Sequence, residues 1–267
     1  MVRHEPNYWA AFVCTRSSLS PQSWIYQNML TASDNTESDV FGDSVSLSAD
    51  GNTALIGAPG PDISGKYNQG AAYVFVRNGG AWSQQIKLTA GDPATDELFG
   101  HAVSLGADGN TALIGASDAT VDGKPGQGVA YVFIRKGLSP PSWSQQNKLV
   151  ASDGAAFAGF GGSVALNAEG NTALIAAPDA TVHGNLNQGA AYVFAPYVIC
   201  GNVHTTQMGL SGAAVNLTGA AKQSATTDSN GNYRFSGLSN GVYTITPSKA
   251  RYTFYSYESQ HQCQRSG

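Results

Sequence analysis

The chain is poor in charge, and neither sign dominates. Only 12% of its 267 residues are charged, about half the usual fraction of ~25%. Its 14 Lys and Arg residues stand against 18 Asp and Glu residues and form no basic cluster. Binding to nucleic acid depends on neutralising phosphates with clustered cations. The composition therefore excludes nucleic acid as an expected partner.

Long apolar runs are also absent. No stretch approaches the 18 or so continuous apolar residues of a membrane span, and the nearest, GAAYVFAPYVICG, is interrupted by Pro196. The N-terminal residues have a basic start but only a broken apolar stretch, so they make a poor signal peptide. We therefore expect a chain without a membrane span.

Cysteine is scarce as well. Cys14, Cys200 and Cys263 have neither Cys-x-x-Cys nor Cys/His spacing, so no zinc or iron–sulfur site is expected. Cys200 and Cys263 bracket the last predicted domain and could form a disulfide in an oxidising compartment. We favour unpaired thiols over this disulfide, and Cys14 is left free in either case.

Glycine and repetition are what the chain has in excess. It has 32 glycines, about 12% against a usual ~7%. Three decapeptides are nearly identical: DGNTALIGAP at 50–59, DGNTALIGAS at 108–117 and EGNTALIAAP at 169–178. The spacing of 58 and then 61 residues is shared by two sets of residues: Trp24, Trp82 and Trp143, and Phe41-Gly42, Phe99-Gly100 and Phe160-Gly161. Such regularity is typical of a structural repeat.

Each repeat predicts four short antiparallel strands. It reads W-x-x-Q-x-x-L, then FG-x-[SA]-V-[SA]-L, then the decapeptide, then G-x-A-Y-V-F. The Asp-Gly of the decapeptide suits a hairpin turn, and the NGG sequence at 78–80 predicts a second hairpin. Four strands per unit of about 60 residues are typical of a propeller blade. The units lie at 24–81, 82–142 and 143–195, after a poorly patterned segment at 1–23.

The Phe-Gly pairs, ALIGAP and GAAYVF resemble FG-GAP repeats, the blades of integrin-alpha-type β-propellers, over residues 24–195. The resemblance implies that the phenylalanines pack between sheets and that the glycines permit close backbone approach, with no catalytic role. Many such repeats hold calcium in a D-x-[DN]-x-[DN]-G loop. Here each turn has one carboxylate, at Asp50, Asp108 or Glu169, so we predict a hairpin turn and no metal.

Three blades leave open edges, whereas the related propellers resemble closed rings of seven. Open edges expose apolar surface and unpaired strand groups, so they invite association. We consider three arrangements, in order of preference: a fragment of a longer protein, a ring completed by a second copy, and an open arc capped by residues 1–23.

A second domain is predicted at 198–258, followed by a tail at 259–267. Its six strand candidates are VICGNVH, AAVNLTG, QSATTD, NYRFSGL, GVYTITPS and YTFYSYE. This segment resembles the carboxypeptidase-regulatory-like domains of bacterial surface and secreted proteins, which are transthyretin-like β-sandwiches. The expected fold is therefore all-β: three four-stranded FG-GAP blades in a partial propeller, followed by a small β-sandwich.

Candidate catalytic groups are few. The five histidines lie in unrelated segments, and no Ser or Cys lies in a G-x-S-x-G motif. Carboxylates cluster at equivalent places in two repeats: Asp34, Glu37 and Asp39, and Asp92, Asp96 and Glu97. The third repeat keeps only Asp153 there, so we interpret these clusters as solvated acidic loops. We expect neither an enzyme nor a cofactor.

Function is expected in the loops, because loops vary while strands stay fixed. The loops at 59–70, 117–128 and 178–189 share glycines and glutamines but differ at other positions. Four residues in them are candidate ligand contacts: Lys66, Tyr67, Asp122 and His183.

The sequence therefore predicts an extracellular or cell-surface binding or adhesion scaffold that presents these loops to a protein or glycan, with the sandwich as a spacer. Two alternatives stay open: a non-catalytic accessory region of a larger secreted enzyme, and a structural module that self-associates through its open blade edges.

Overall fold

The fold is built entirely of strands in the part of the chain that the structure describes. The computed structural model describes residues 9–17, 23–34, 36, 38–92, 94–137, 142–195, 197–238 and 242–254. Within these ranges no helix is long and apolar enough to cross a membrane. The chain divides into two compact units, with the boundary after Phe194. The all-β fold class is confirmed.

The described residues of the first unit form thirteen strands: β1 (Ala11–Arg16), β2 (Trp24–Leu30), β3 (Val45–Leu47), β4 (Thr53–Ala58), β5 (Ala71–Asn78), β6 (Ala81–Leu88), β7 (Phe99–Leu105), β8 (Thr111–Ala116), β9 (Val129–Lys136), β10 (Ser142–Leu149), β11 (Ser163–Leu166), β12 (Ala173–Ala177) and β13 (Ala190–Phe194). They pair antiparallel as a two-stranded hairpin β1–β2, a first sheet β3–β4–β5–β6, a second sheet β7–β8–β9–β10 and a third sheet β11–β12–β13.

The sheets are out of step with the sequence repeats. The Trp strand that opens each later repeat completes the sheet of the repeat before it: β6, with Trp82, pairs with β5, and β10, with Trp143, pairs with β9. A two-residue turn with positive φ at Gly79 and Gly80 joins β5 directly to β6 and fixes this pairing. The third sheet consequently has three strands among the described residues, instead of four, and Trp24 lies in the β1–β2 hairpin.

The glycine of each Phe-Gly pair lets the backbones of successive repeats approach each other closely. Gly42, Gly100 and Gly161 have φ of 98°, 96° and 93°, a conformation that suits only glycine well. A Cβ on Gly100 would lie 2.2 Å from the carbonyl oxygen of Ala71 in the preceding sheet. No side chain fits in that gap, so the glycine determines how closely the sheets approach.

A second glycine, on the TALIGA strand, has no room for a side chain because the backbone of the following repeat lies against it. A Cβ on Gly57 would lie 1.9 Å from the carbonyl oxygen of Gly100, and a Cβ on Gly115 would lie 2.0 Å from that of Gly161. The equivalent residue of the third repeat is Ala176. Alanine is accommodated there because no described repeat packs on the third sheet.

The core lies between the sheets. Phe41, Phe99 and Phe160 are fully buried, and the Phe41 ring packs against Tyr73 and Phe75 of its own sheet at centroid distances of 5.4 and 6.0 Å. The same pair of contacts recurs in the other two sheets. These aromatic contacts bury large apolar areas and therefore stabilise each sheet.

The second unit contains five described strands: β14 (Tyr197–Asn202), β15 (Ala214–Gly219), β16 (Gln223–Thr226), β17 (Asn232–Leu238) and β18 (Tyr243–Ser248). They form two sheets, β14–β17 and β16–β15–β18, around a core that includes Val215, Leu217 and Phe235. This is the predicted sandwich. Residues 252–254 of the sixth predicted strand are not in a strand, and the rest of that segment lies outside the described residues.

The preference for unpaired thiols is wrong at Cys200. Cys200, on β14, is disulfide-bonded, whereas Cys14 is a free and exposed cysteine. Cys263 lies outside the described residues. Sequence spacing could not decide between the two states, because pairing depends on how the strands bring the cysteine β-carbons together.

Replacing Gly115 with alanine should destabilise the first unit by about 1–3 kcal/mol, because the new methyl group would overlap a backbone carbonyl that cannot move away alone. The matched control is Ala176→Gly at the equivalent position of the third repeat, which should change stability by less than about 1 kcal/mol. Urea unfolding followed by tryptophan fluorescence measures both. Equal effects of the two substitutions would contradict this account of the sheet spacing.

Candidate functional site

Three equivalent loops, which we name rim loops 1, 2 and 3, span residues 59–70, 117–128 and 178–189. They connect β4 to β5, β8 to β9 and β12 to β13. Each contains a tight turn whose two central residues both have positive φ: Ser64 and Gly65, Asp122 and Gly123, and His183 and Gly184. The residues that flank these turns form isolated bridges: Ile63 with Lys66, Val121 with Lys124, and Val182 with Asn185. The repeated glycines are explained by this turn geometry.

The C-terminal part of rim loop 1 is hydrogen-bonded through its backbone to the second repeat. The carbonyls of Tyr67 and Gln69 accept hydrogen bonds from the backbone N–H groups of Asp96 and Phe99, at 2.8 and 3.0 Å. Rim loop 2 makes the corresponding bonds to the third repeat: the backbone N–H groups of Phe157 and Phe160 donate to the carbonyls of Pro125 and Gln127. The C-terminal parts of these two loops are therefore held against the following repeat, while the loop tips stay exposed.

Rim loop 3 lacks this attachment within the described residues. The glutamines equivalent to Gln188 in the other two loops, Gln69 and Gln127, are 1% and 4% exposed, because the next unit covers them. Gln188 is exposed, and so is Leu186 at 82%. The chemistry available at rim loop 3 thus differs from that of the other two.

The four predicted ligand contacts do not form one site. Asp122 and His183 occupy the first central position of their turns, so both are exposed and both also serve the turn geometry. Tyr67 is 68% exposed and lines a pocket of about 540 Å³, whereas His183 lines a separate pocket of about 320 Å³. Lys66, which is half-buried, and Asp122 line neither pocket.

The interpretation of the acidic clusters as solvated loops is wrong for their buried and bonded members. Asp34 Oδ1 accepts a hydrogen bond from the Tyr73 hydroxyl at 3.0 Å, and its Oδ2 pairs with Lys87 Nζ at 2.7 Å. Two further members, Asp39 and Glu97, are only 5% and 3% exposed. These three carboxylates are therefore part of the junction between the acidic loop and the sheet, whereas Glu37 lies outside the described residues.

The same arrangement of aspartate and tyrosine recurs in the next two repeats. Asp92 accepts from the Tyr131 hydroxyl and pairs with Lys148, and Asp153 accepts from the Tyr192 hydroxyl. In all three cases the aspartate precedes its tyrosine by 39 residues. This constant spacing was the signal in the sequence that could have identified the contact. Its third copy lacks the lysine because no fourth strand follows β13 among the described residues.

These contacts change the proton affinity of the groups involved. Burial opposes ionisation of Asp34, but the hydrogen bond and charge of Lys87 outweigh it and lower the pKa of this carboxyl. Burial, together with the charge of Asp34, raises the pKa of the Tyr73 hydroxyl. Burial also raises the pKa of Glu97, whose Oε2 has no hydrogen-bond donor among the described residues.

The larger pocket lies between the acidic loop of the first repeat and rim loop 1. It is lined by Asp34, Thr36, Ser38, Asp39, Gly60, Pro61, Asp62, Tyr67, Asn68 and Lys87. Three carboxylates are present, but each already accepts internal hydrogen bonds, those of Asp39 from Thr36 and that of Asp62 from Asn68. The pocket therefore offers hydrogen bonds and one exposed aromatic ring, and its carboxylates are not arranged around a common point.

The hairpin turns of the decapeptides are longer than two residues, and only their glycines have positive φ. The carboxylate of Asp50 accepts from Ser48 Oγ at 2.6 Å and from the Asn52 backbone N–H at 2.9 Å. The Ser48 hydroxyl and the two donors of Asn52 lower the pKa of Asp50 to about 2. No cluster of three metal-binding side chains occurs in the described residues.

The turn Asp228–Asn232 in the second unit is organised in the same way. The Asp228 carboxylate accepts from the backbone N–H groups of Asn230 and Asn232 at 2.8 and 2.9 Å. The backbone and side-chain hydrogen bonds from Asn232 lower the pKa of this carboxyl. This carboxylate thus stabilises the turn.

Lys87→Met should raise the pKa of Asp34 and weaken the fold at neutral pH by on the order of 0.5 kcal/mol, as for other half-exposed ion pairs. Because the folded pKa of Asp34 is lowered, the stabilisation is present above the unfolded pKa, about 3.8, and is lost as the pH falls through the folded pKa. Carboxyl NMR titration measures the pKa of Asp34, and urea unfolding at neutral pH and below the folded pKa measures the change in stability. Lys136→Met, on exposed β9 sequence, is the control, and an unchanged Asp34 pKa in Lys87→Met would contradict the assignment.

Adding calcium or a chelator should leave the melting temperature of the chain unchanged, because the turn carboxylates of Asp50 and Asp108 are occupied by backbone and asparagine donors. Differential scanning fluorimetry checks this expectation. A calcium-dependent rise in melting temperature that disappears in Asp50→Asn or Asp108→Asn would overturn it.

Comparison with known families is consistent with this geometry. The family model of the FG-GAP repeat matches residues 24–75, 82–133 and 143–194, and that of the carboxypeptidase regulatory-like domain matches residues 198–260. No curated protein matches the chain. FG-GAP repeats are generally extracellular modules of adhesion or binding proteins. The three matches together cover more than half of the sequence, and the chain belongs to the FG-GAP repeat family.

Proposed function

We propose that this chain is a non-enzymatic binding scaffold of an extracellular or cell-surface protein. Its rim loops contact a protein or glycan ligand, and its C-terminal sandwich is a spacer. The observation that carries the proposal is the contrast within the rim loops. Rim loops 1 and 2 are fixed to the following repeat by equivalent backbone hydrogen bonds, whereas the tips of all three loops differ and stay exposed. A rigid base with variable exposed tips suits recognition, because little conformational entropy is lost on binding.

The best candidate contact surface is the pocket beside rim loop 1. Its volume of about 540 Å³ falls within the range of ligand sites. The exposed ring of Tyr67 supplies apolar area with a hydroxyl at its edge, and the surrounding carboxylates and amides supply hydrogen bonds. This lining suits sugar hydroxyls or polar side chains of a protein. Aromatic anchors of this kind commonly dominate the energy of an interface.

Rim loops 2 and 3 have the same turn as rim loop 1 with different chemistry. Asp122 presents a carboxylate and His183 an imidazole at the turn position where rim loop 1 has Ser64. Three different polar groups therefore occupy equivalent turn positions in the three loops. A ligand that spans more than one loop would be selected by this order of groups.

The Tyr67→Ser variant should weaken ligand binding by on the order of tenfold or more, because it removes the exposed aromatic ring and leaves the backbone hydrogen bonds of the loop in place. The immobilised chain is probed with a glycan array and with fibronectin, collagen and laminin, and affinities are compared by biolayer interferometry. His183→Ser tests rim loop 3 in the same assay.

Asn147→Ser, on the exposed part of β10, is the matched control and should bind like the unmodified chain. Binding of a probe that survives both rim-loop substitutions would show that the ligand contacts another surface. Absence of binding to every probe would count against the proposed scaffold role.

A further inference from the structure

A lysine is held by the aspartate–tyrosine contact of the first sheet. Asp34 Oδ1 accepts a hydrogen bond from the Tyr73 hydroxyl at 3.0 Å, and Oδ2 pairs with Lys87 Nζ at 2.7 Å. The same Nζ lies over the Tyr73 ring, 5.4 Å from its centroid. The carboxylate and the aromatic ring therefore hold one ammonium group together, through an ion pair and a cation–π contact.

The second sheet repeats this ammonium site. Asp92 Oδ1 accepts from the Tyr131 hydroxyl at 3.1 Å, and Oδ2 pairs with Lys148 Nζ at 2.5 Å. This Nζ lies 5.8 Å from the centroid of the Tyr131 ring. The same atoms have the same roles in both copies. An aspartate–tyrosine pair of this geometry is therefore suited to a primary ammonium group.

The third repeat keeps the aspartate–tyrosine pair without the cation. Asp153 Oδ1 accepts from the Tyr192 hydroxyl at 2.8 Å, but Oδ2 has neither a donor nor an ion pair among the described residues. This difference arises inside the chain. Lys87 and Lys148 lie on the strands that directly follow β5 and β9, whereas the strand directly after β13 is β14, which pairs with β17 of the second unit.

A pocket of about 320 Å³ gives access to this pair. Asp153 and Tyr192 line it together with His183 of rim loop 3. Asp153 is exposed and Tyr192 is partly exposed, whereas the equivalent tyrosines of the other two sheets are fully buried. Ala155 and Val182 add short apolar side chains to the lining. Such a lining suits the methylene stem of a lysine, whose charged end can then reach the carboxylate.

We propose that this pocket binds the side-chain ammonium group of a lysine on a protein ligand. Its Nζ would pair with Asp153 Oδ2 and lie over the Tyr192 ring, in the arrangement that Lys87 has in the first sheet. The inference rests on the proposed binding function and narrows it at rim loop 3, because it selects a protein that presents a lysine.

The test uses the full chain and the peptide acetyl-Gly-Lys-Gly-amide, followed by the NMR shifts of the Asp153 carboxyl carbon and the Tyr192 ring. We expect saturable shifts of both groups at neutral pH. The same peptide with an Nε-acetylated lysine has no charge and should bind on the order of fivefold more weakly. Asp153→Asn keeps an oxygen for the Tyr192 hydroxyl and should weaken binding of the charged peptide by a similar factor.

Asp179→Asn is the matched control, because it removes the same charge from an exposed aspartate of rim loop 3 that does not line the pocket. It should leave peptide binding unchanged. Four results would overturn the proposal: no saturable shift, equal binding of the acetylated peptide, equal binding by Asp153→Asn, or tighter binding of spermidine, which would assign the site to a free polyamine. None of these results depends on the probes of the scaffold role, so the ammonium site and the scaffold role fail separately.

Discussion

The close approach of peptide backbones at the Phe-Gly pairs is the constraint on which the rest of the first unit depends. At Gly100 the gap to the Ala71 carbonyl is too small for a methyl group, and the positive φ of this glycine turns its own carbonyl toward the Gly57 strand. Two glycines, one from each repeat, thus meet at both junctions between the three larger sheets. The adjacent phenylalanine fills the core beside them. Sheet spacing, core packing and the position of the next unit all follow from this contact.

The candidate binding surface is a consequence of the same junction. Once the Phe-Gly strand is held against the preceding sheet, its N-terminal acidic loop lies beside the preceding rim loop, and the backbone hydrogen bonds from Asp96 and Phe99 form. The aspartates that precede each Phe-Gly pair by seven residues are then fixed by tyrosine and, where the outer strand is present, by lysine. Internal satisfaction of these carboxylates leaves the loop tips and Tyr67 as the exposed recognition groups.

The two ends of the array are physically different. At the first sheet the apolar residues Val45 and Leu47 are exposed, whereas their equivalents in the second sheet, Val103 and Leu105, are buried. At the third sheet Leu174 and Val193 are exposed, but Ala176 replaces the glycine that a following unit needs.

The repeat, the all-β class, the hairpins and the sandwich could be predicted from the sequence, because the periodic Phe-Gly pairs, the alternating apolar residues and the glycine turns act locally. Which strands share a sheet could not be predicted, because it depends on pairing between repeats. Trp82 begins a repeat in the sequence but completes the preceding sheet, since the Gly79-Gly80 turn joins it to β5. The acidic loops and Cys200 were misread for a related reason: burial of Asp39, pairing of Asp34 with Lys87 and the disulfide all depend on residues that are distant in sequence and meet only when the sheets assemble.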